Sequence, residues 1–305
     1  KSLRYKKTMN NFKTFLNALR VHHWIKNFLL FIPLITAHKL YDLDLIFLLC
    51  LAFLSFSFCA SSIYIINDIF DISNDSQHPK KKQRPFASKE ISIKKGIFLA
   101  SFSLIISFIF SLSLNKLFII FLIGYFLLSS AYSFYFKKIK YLDCIILVIF
   151  YILRLFSGGV VVNIMPSFWL VVFSMFIFFS LALAKRYTEL NLHYSKSENL
   201  KISGRNYTYK DQKNLYTLGI ISGYLSVLTL AFYLGSETVS RLYQTSLFIW
   251  LAIPLLFLWI RLVWIKSKNK EMDDDPVIFA VKNKWSVIII FLFFLSFLLA
   301  KLVEL

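Results

Sequence analysis

The sequence predicts an all-α fold, a polytopic membrane helical bundle of nine transmembrane helices with its N-terminus in the cytoplasm and its C-terminus outside. Three observations carry this expectation. Apolar runs near 20 residues, about the length a helix needs to cross a bilayer, recur along the chain. The chain is 58% hydrophobic and 18% aromatic, with a mean hydropathy of +0.65, far above a soluble domain. Lysine and arginine crowd into alternate segments between the runs, 30 of the 35 on one side.

The first 19 residues form a basic segment, and residues 1–27 carry seven Lys/Arg and no acid. This end is expected to stay cytoplasmic, and it resembles neither a cleavable signal peptide nor a transit peptide. The apolar run Phe28 to Ala37 is too short to span alone. The first helix is therefore expected to begin earlier and to take Arg20, His22, His23, Lys26 and Asn27 into its inner turns. On a helix the last four share an arc of roughly 140°. Such a polar face suits a protein cavity, and the competing reading is a snorkelling end among headgroups.

Further spans read as 45–66, 97–114, 117–136, 142–163, 166–184, 214–234, 245–265 and 285–303. The cytoplasmic segments are then 1–27, 67–96, 137–141, 185–213 and 261–284, while Lys39, Lys116, Arg241 and Lys301 fall outside. This asymmetry sets the topology and places the chain, a single domain over 1–305, in the inner (cytoplasmic) membrane with the lipid bilayer as its solvent. It also accounts for the formal charge of +19 and excludes nucleic acid as a partner. Cys50, Cys59 and Cys144 stand in or beside apolar runs at no metal-ligand spacing and read as small hydrophobes. Oligomeric state is not legible.

The polar groups that could do chemistry gather on the cytoplasmic side. Asn67-Asp68-Ile69-Phe70-Asp71-Ile72-Ser73-Asn74-Asp75 follows the second span directly. If that helix continues, Asp68, Asp71 and Asp75 fall within an arc of roughly 60°. Three carboxylates so placed need a compensating charge, and a hard divalent cation, Mg²⁺ or Mn²⁺, completed by water and substrate phosphates would supply it. The competing reading is a solvated acidic helix end. Arg154 lies near mid-bilayer, where an arginine is tolerated only against a cavity or a partner. A bound phosphate is one such partner, and a structural pair with Asp143 or backbone carbonyls is the other. Lys185 and Arg186 leave the sixth span level with the Asp cluster. Asp273 to Asp275, ahead of Pro276, read as a solvated turn. No Ser/His/Asp or Cys/His arrangement and no glycine-rich nucleotide loop is present.

The Asn67-Asp68-x-x-Asp71-x-x-x-Asp75 motif at the exit of a second span resembles the first aspartate motif of the UbiA-type prenyltransferase superfamily. The closer likeness is to the branch typified by decaprenyl-phosphate phosphoribosyltransferase. It is carried by Arg20-x-His22-x-Trp24-Ile25-Lys26-Asn27, by His78-Pro79 and Arg84-Pro85, and by Ala131-Tyr132-Ser133 with Lys137. Leu142-Asp143, Arg154 with Gly158-Gly159, Leu183-Ala184-Lys185-Arg186 with Glu189, and Asp275-Pro276-Val277 continue it. Aromatic-acceptor members usually carry a second DxxxD-like motif after the sixth span, and here that place reads Lys185-Arg186-x-x-Glu189. Val21 stands where a proline is familiar.

The resemblance implies a Mg²⁺-dependent glycosyltransferase with phosphoribosyl diphosphate as donor and a long polyprenyl phosphate as acceptor. It implies metal and catalytic roles for Asp68, Asp71 and Asp75, with Arg154 also catalytic. Substrate contacts would come from Lys26, Asn27, Asn67, Arg84, Tyr132, Lys137, Asp143, Lys185, Arg186 and Glu189. The acceptor phosphate is already an anion, so the implied chemistry is charge stabilisation and positioning. Two alternatives stay open: an isoprenyl-diphosphate-dependent aromatic prenyltransferase of the same superfamily, and a lipid-phosphate transporter.

Overall fold

The computed structural model describes residues 13–77, 81–193, 205–236, 239, 242–243, 247–272 and 275–302. Residues 1–12 of the basic segment, His78, Pro79, Lys196, Glu198, Lys201, Arg241, Asp273 and Asp274 lie outside the described residues. Among the described residues every regular element is helical. The long helices are α1 (Leu43–Phe70), α2 (Ile93–Leu112), α3 (Lys116–Phe134), α4 (Leu142–Val162), α5 (Phe168–His193), α6 (Gln212–Leu234), α7 (Ala252–Lys268) and α8 (Lys284–Leu302). With the short turn Leu247–Trp250 leading into α7, these supply eight spans long and apolar enough to cross a membrane. The chain is a multi-pass integral membrane protein.

The helix starts follow from local chemistry. Asp42, Ser92 and Asn115 each accept a hydrogen bond from the backbone N–H three residues on, satisfying a donor that the first turn leaves orphaned. Asn283 does the same for Ser286 before α8, at 3.1 Å.

Packing divides the chain into two compact units. Unit 1 comprises residues up to Phe136 together with Leu153–Pro166, and unit 2 comprises Lys137–Ile152 together with Ser167 onward. Helix α4 is shared between them. In unit 1, α1 packs along α2 and touches α3. The α1–α2 contact runs through hydroxyls: Ser55 Oγ donates to the Ser107 carbonyl at 2.9 Å, and Ser107 Oγ donates back to the Ser55 carbonyl at 2.7 Å. Lipid tails are as apolar as leucine, so close packing and hydrogen bonds, rather than water exclusion, join such helices. The outer faces of α2 and α3 leave Phe98, Ile105 and Ile120 exposed, as lipid contact requires.

The expected first span takes a different form. Residues 13–19 are helical, Arg20 then turns into the left-handed region at φ 51°, and Val21–Phe31 continues as a 3₁₀ helix into the short α-helix Ile32–Thr36. The uninterrupted α-helix read from sequence is corrected here. Side chains three apart eclipse on a 3₁₀ helix, so Trp24 and Asn27 stand on one line. On α1, Ser57 and Ser61 share a face at four-residue spacing. Trp24 Nε1 donates to Ser61 Oγ at 3.0 Å and Asn27 Nδ2 to Ser57 Oγ at 2.9 Å, which anchors the segment at both points. Gly158 lets α4 come against this segment, because a Cβ there would meet the Leu30 backbone.

Unit 2 is built on the α5–α6 pair, with α7 against both and α8 against α7. Its core gathers Leu183, Leu190, Leu215, Ile249, Ala252 and Val263, all fully buried.

Candidate active site

In unit 1 the last turns of α1 carry the acidic motif. Helix α1 closes at Phe70, Asp71 caps it at φ −91° and ψ 8°, and a short helix resumes over Ile72–Gln77. Asp68 and Asp75 are both buried, and a single arginine joins them. Arg84 Nη1 donates to Asp75 Oδ2 at 2.6 Å and to Asp68 Oδ1 at 3.1 Å. Arg20 Nη2 reaches the same Asp68 oxygen at 2.5 Å, while its guanidinium lies 5.2 Å from the Tyr64 ring centre. The left-handed turn at Arg20 and the loop after Lys81–Gln83 deliver these two arginines. Phe86, buried against Ala18, Ile65 and Ala100, pins that loop two residues beyond Arg84.

Arg154 in the same unit is 3% exposed and has neutral partners. Its Nε donates to Asn27 Oδ1 at 2.8 Å and its Nη2 to the Tyr125 hydroxyl at 2.9 Å. It also lies over the Tyr125 and Phe56 rings, 4.8 and 5.9 Å from their centres. Asn27 is oriented by its own amide, which is spent on Ser57. Hydrogen bonds and ring faces thus offset the cost of a charge at membrane depth.

In unit 2, Arg186 Nε meets Asp143 Oδ2 at 2.5 Å with neither side chain exposed, and Nη1 meets Glu189 Oε2 at 2.8 Å. Arg205 also pairs with Glu189. The Tyr207 hydroxyl donates to Asp143 Oδ1 at 2.6 Å and accepts the Tyr141 N–H at 2.7 Å. That N–H belongs to a residue in the left-handed region, φ 62°, a strained choice for a tyrosine that this bond helps to hold. Burial, and after it the neighbouring Cys144 and Asp143, push the Tyr207 phenol far above the ordinary tyrosine value. Lys140 holds Asp211 at 2.6 Å, and Asp211 in turn caps Thr208. Lys185 is 24% exposed, and its contact with Asp275 is long, 3.5 Å.

The structure therefore brings Asp68, Asp75 and Arg84 together, Asn27 to Arg154, and Asp143 to Arg186 and Glu189. Lys26, Asn67, Asp71, Tyr132 and Lys137 are partly buried: on the 3₁₀ segment, at the end of α1 (Asn67 and Asp71), in the last turn of α3, and in the turn Phe136–Lys138. Sequence reasoning missed Tyr125, Arg205 and Tyr207 as partners and placed Arg20 only in a motif. A capping box at Thr208–Asp211 was the one local signal beside Tyr207. Asp275 is corrected: it is buried and caps Pro276–Lys282 through the Val277 N–H at 3.0 Å.

Among the described residues no group of three or more His, Cys, Asp or Glu is arranged to hold a metal ion. Of the expected Asp68, Asp71 and Asp75 face, Arg84 joins Asp68 to Asp75, and Asp71 stands between them at the end of α1, its N–H on the Asn67 carbonyl. Asp68 and Asp75 are each engaged through one oxygen. Two hard carboxylates fit Mg²⁺, which takes one or two of them and completes its shell from phosphates and water; a dedicated all-protein cage is not what they form.

Fold and clusters together define a multi-pass helical membrane protein with arginine–carboxylate sites set into its spans. The UbiA prenyltransferase family model matches residues 28–298, and the chain belongs to that family. It is 32% identical over 275 residues to the uncharacterized protein y4nM of Sinorhizobium fredii, covering 90% of this chain and 53% of that protein, so the chain spans about half its length. It is 29% identical to nodulation protein NoeC of Azorhizobium caulinodans, over 92% of this chain and 90% of NoeC. It is also 29% identical to decaprenyl-phosphate phosphoribosyltransferase of Corynebacterium glutamicum, over 76% and 72%. A UbiA homolog from Archaeoglobus fulgidus, solved bound to GPP and Mg²⁺, shares the fold at a TM-score of 0.64 and 18% identity, over 93% of this chain and 99% of its own.

Proposed function

We propose that the protein is a membrane phosphoribosyltransferase. It moves 5-phosphoribosyl from phosphoribosyl diphosphate to a long-chain polyprenyl phosphate, releases pyrophosphate, and works on the cytoplasmic side with Mg²⁺ at the Asp68 end of α1. The relative from Corynebacterium glutamicum is named for such a reaction. One observation carries the choice. In unit 2, Arg186 and Arg205 already neutralise Asp143 and Glu189. That stretch, Lys185-Arg186-x-x-Glu189, offers two cations and one acid where the aromatic-acceptor arrangement has a second carboxylate pair.

The acceptor phosphate oxygen bonds to C1 of the ribose as the C1–O bond to diphosphate breaks. That oxygen is anionic near neutral pH, so no protein base is required. Bound Mg²⁺ supplies Lewis-acid neutralisation of the leaving diphosphate. Asp68 and Asp75 would hold the metal, and Arg84 and Arg20, which sit on those carboxylates, are the cations nearest it to meet diphosphate oxygens. Arg154, with Asn27 and Tyr125, keeps a fixed positive charge at depth. Lys26 adds a further cation in unit 1, and in unit 2 Lys137 and Lys185, the latter 3.5 Å from Asp275, are offered for a phosphate.

The test supplies purified protein in lipid with labelled phosphoribosyl diphosphate, a polyprenyl phosphate and Mg²⁺. A labelled lipid and released pyrophosphate are expected. Transfer of a prenyl group from its diphosphate to an aromatic acid, with phosphoribosyl diphosphate ignored, would overturn the assignment.

A further inference from the structure

Unit 2 carries an open cavity, rimmed by two lysines, whose residues the proposed chemistry does not use. It measures about 300 Å³ and is lined by Tyr187, Gln212, Lys213, Tyr216 and Lys268. Three spans supply it. Tyr187 comes from α5, Gln212, Lys213 and Tyr216 from the first turns of α6, and Lys268 is the last residue of α7. The cavity therefore lies at the ends of membrane helices, at the depth where acyl chains give way to headgroups.

Its walls are fixed. Asn191 Nδ2 donates to the carbonyl oxygens of Ser267 at 3.1 Å and Lys268 at 2.9 Å, and Asn191 Oδ1 accepts Gln212 Nε2 at 3.4 Å. The hydroxyls of Thr188 and Ser267 stand 3.0 Å apart. Behind them the rings of Tyr187, Tyr216 and Trp264 pack in contact, and Trp264 lies against Gly219, where a Cβ would collide with it.

The charge is unbalanced. Asp211 is held by Lys140 and Glu271 by Lys266. Among the described residues neither Lys213 nor Lys268 has a carboxylate within ion-pair distance. Two cations from separate helices, two phenols and an amide thus face one cavity lined, among the described residues, by no acid. Ile265, one turn before Lys268 on the same face of α7, is exposed.

We propose that this cavity binds the phosphate headgroup of an anionic glycerophospholipid, whose acyl chains lie along α7 past Ile265. Basic pockets between membrane helices suit such headgroups. Its place on three membrane helices, with Ile265 exposed beside it, selects a lipid over a free phosphate. This site is separate from the transferase reading and does not depend on it.

The test reconstitutes the full chain in phosphatidylcholine nanodiscs with graded phosphatidylglycerol. It reads retained lipid by native mass spectrometry and the thermal midpoint. One phosphatidylglycerol per chain is expected to be retained and to raise the midpoint. The variant K213A/K268A loses both, with apparent affinity falling about fivefold per lysine. The charge-matched control K94A/K95A, at the exposed start of α2, keeps both. An equal loss in the control, undiminished retention in K213A/K268A, or the full effect from inorganic phosphate in phosphatidylcholine alone each overturns the proposal.

Discussion

Arg186 and Asp143 form an ion pair, 2.5 Å from Nε to Oδ2, in which neither side chain reaches solvent. Removing one partner strands the other charge, at a cost of about 3–5 kcal/mol. Arg186→Ala and Asp143→Ala are each expected to lower the thermal midpoint strongly. An apolar replacement of both, Arg186→Met with Asp143→Leu, recovers part of the loss. A double-mutant cycle on unfolding in mixed micelles measures the coupling, and strictly additive losses would remove the pair from the account.

The Asp68–Arg84–Asp75 arrangement makes two carboxylates the ones that matter most. Asp68→Asn and Asp75→Asn are expected to lower turnover about 100-fold or more while the protein still inserts, with Asp71→Asn milder. EDTA should abolish activity and Mg²⁺ restore it. Full turnover in EDTA would show that the acids serve packing alone.

Arg154 offers a different kind of test, because Asn27 and Tyr125, to which it donates, are neutral. Arg154→Lys keeps the charge, but one ammonium does not reproduce a fork that meets Asn27 and Tyr125 from different nitrogens. It should fail to restore activity lost in Arg154→Ala. Tyr125→Phe keeps the ring face and loses one hydrogen bond to a charged group, about 1.5–3 kcal/mol of stability. If Arg154→Ala turns over normally yet unfolds early, the residue is a strut and not part of the site.

Tyr207 should make stability fall at high pH. Its folded phenol is held above the unfolded value, so its contribution is complete below pH about 10 and declines above it as the unfolded chain ionises first. Thermal midpoints at pH 8 and 11 are expected to diverge more in the native chain than in Tyr207→Phe. Identical slopes would mean that the Asp143 bond does not survive in the folded membrane protein.

The eight long spans were legible, most ends to within four residues, because a run of apolar side chains near 20 is the direct imprint of bilayer thickness; α5 runs nine residues past its expected end and α7 begins seven late. The entry segment was not, since the pairing of Trp24 and Asn27 with Ser61 and Ser57 decides its 3₁₀ form, and those contacts cross 30 to 37 residues. Arg20 meets Asp68 across 48 residues for the same reason. The acidic motif's spacing pointed to neighbouring carboxylates but not to Arg84, which reaches Asp68 and Asp75 from a loop and joins them. Asp275 looked like a solvated acid because no sequence pattern announces that Lys185 stands 90 residues away to receive it.

The reciprocal Ser55–Ser107 bonds have a consequence for how the protein is made. Each hydroxyl answers the other helix's backbone, so sliding α2 along α1 by a single turn would break both bonds and return the hydroxyls to carbonyls of their own helices, as Ser103 and Ser111 are bonded. Because α1 and α2 are consecutive, this register stop forms between neighbours in the order of synthesis. The hairpin they make is a self-checking unit of insertion: it closes in one alignment before the later helices emerge to lean on it.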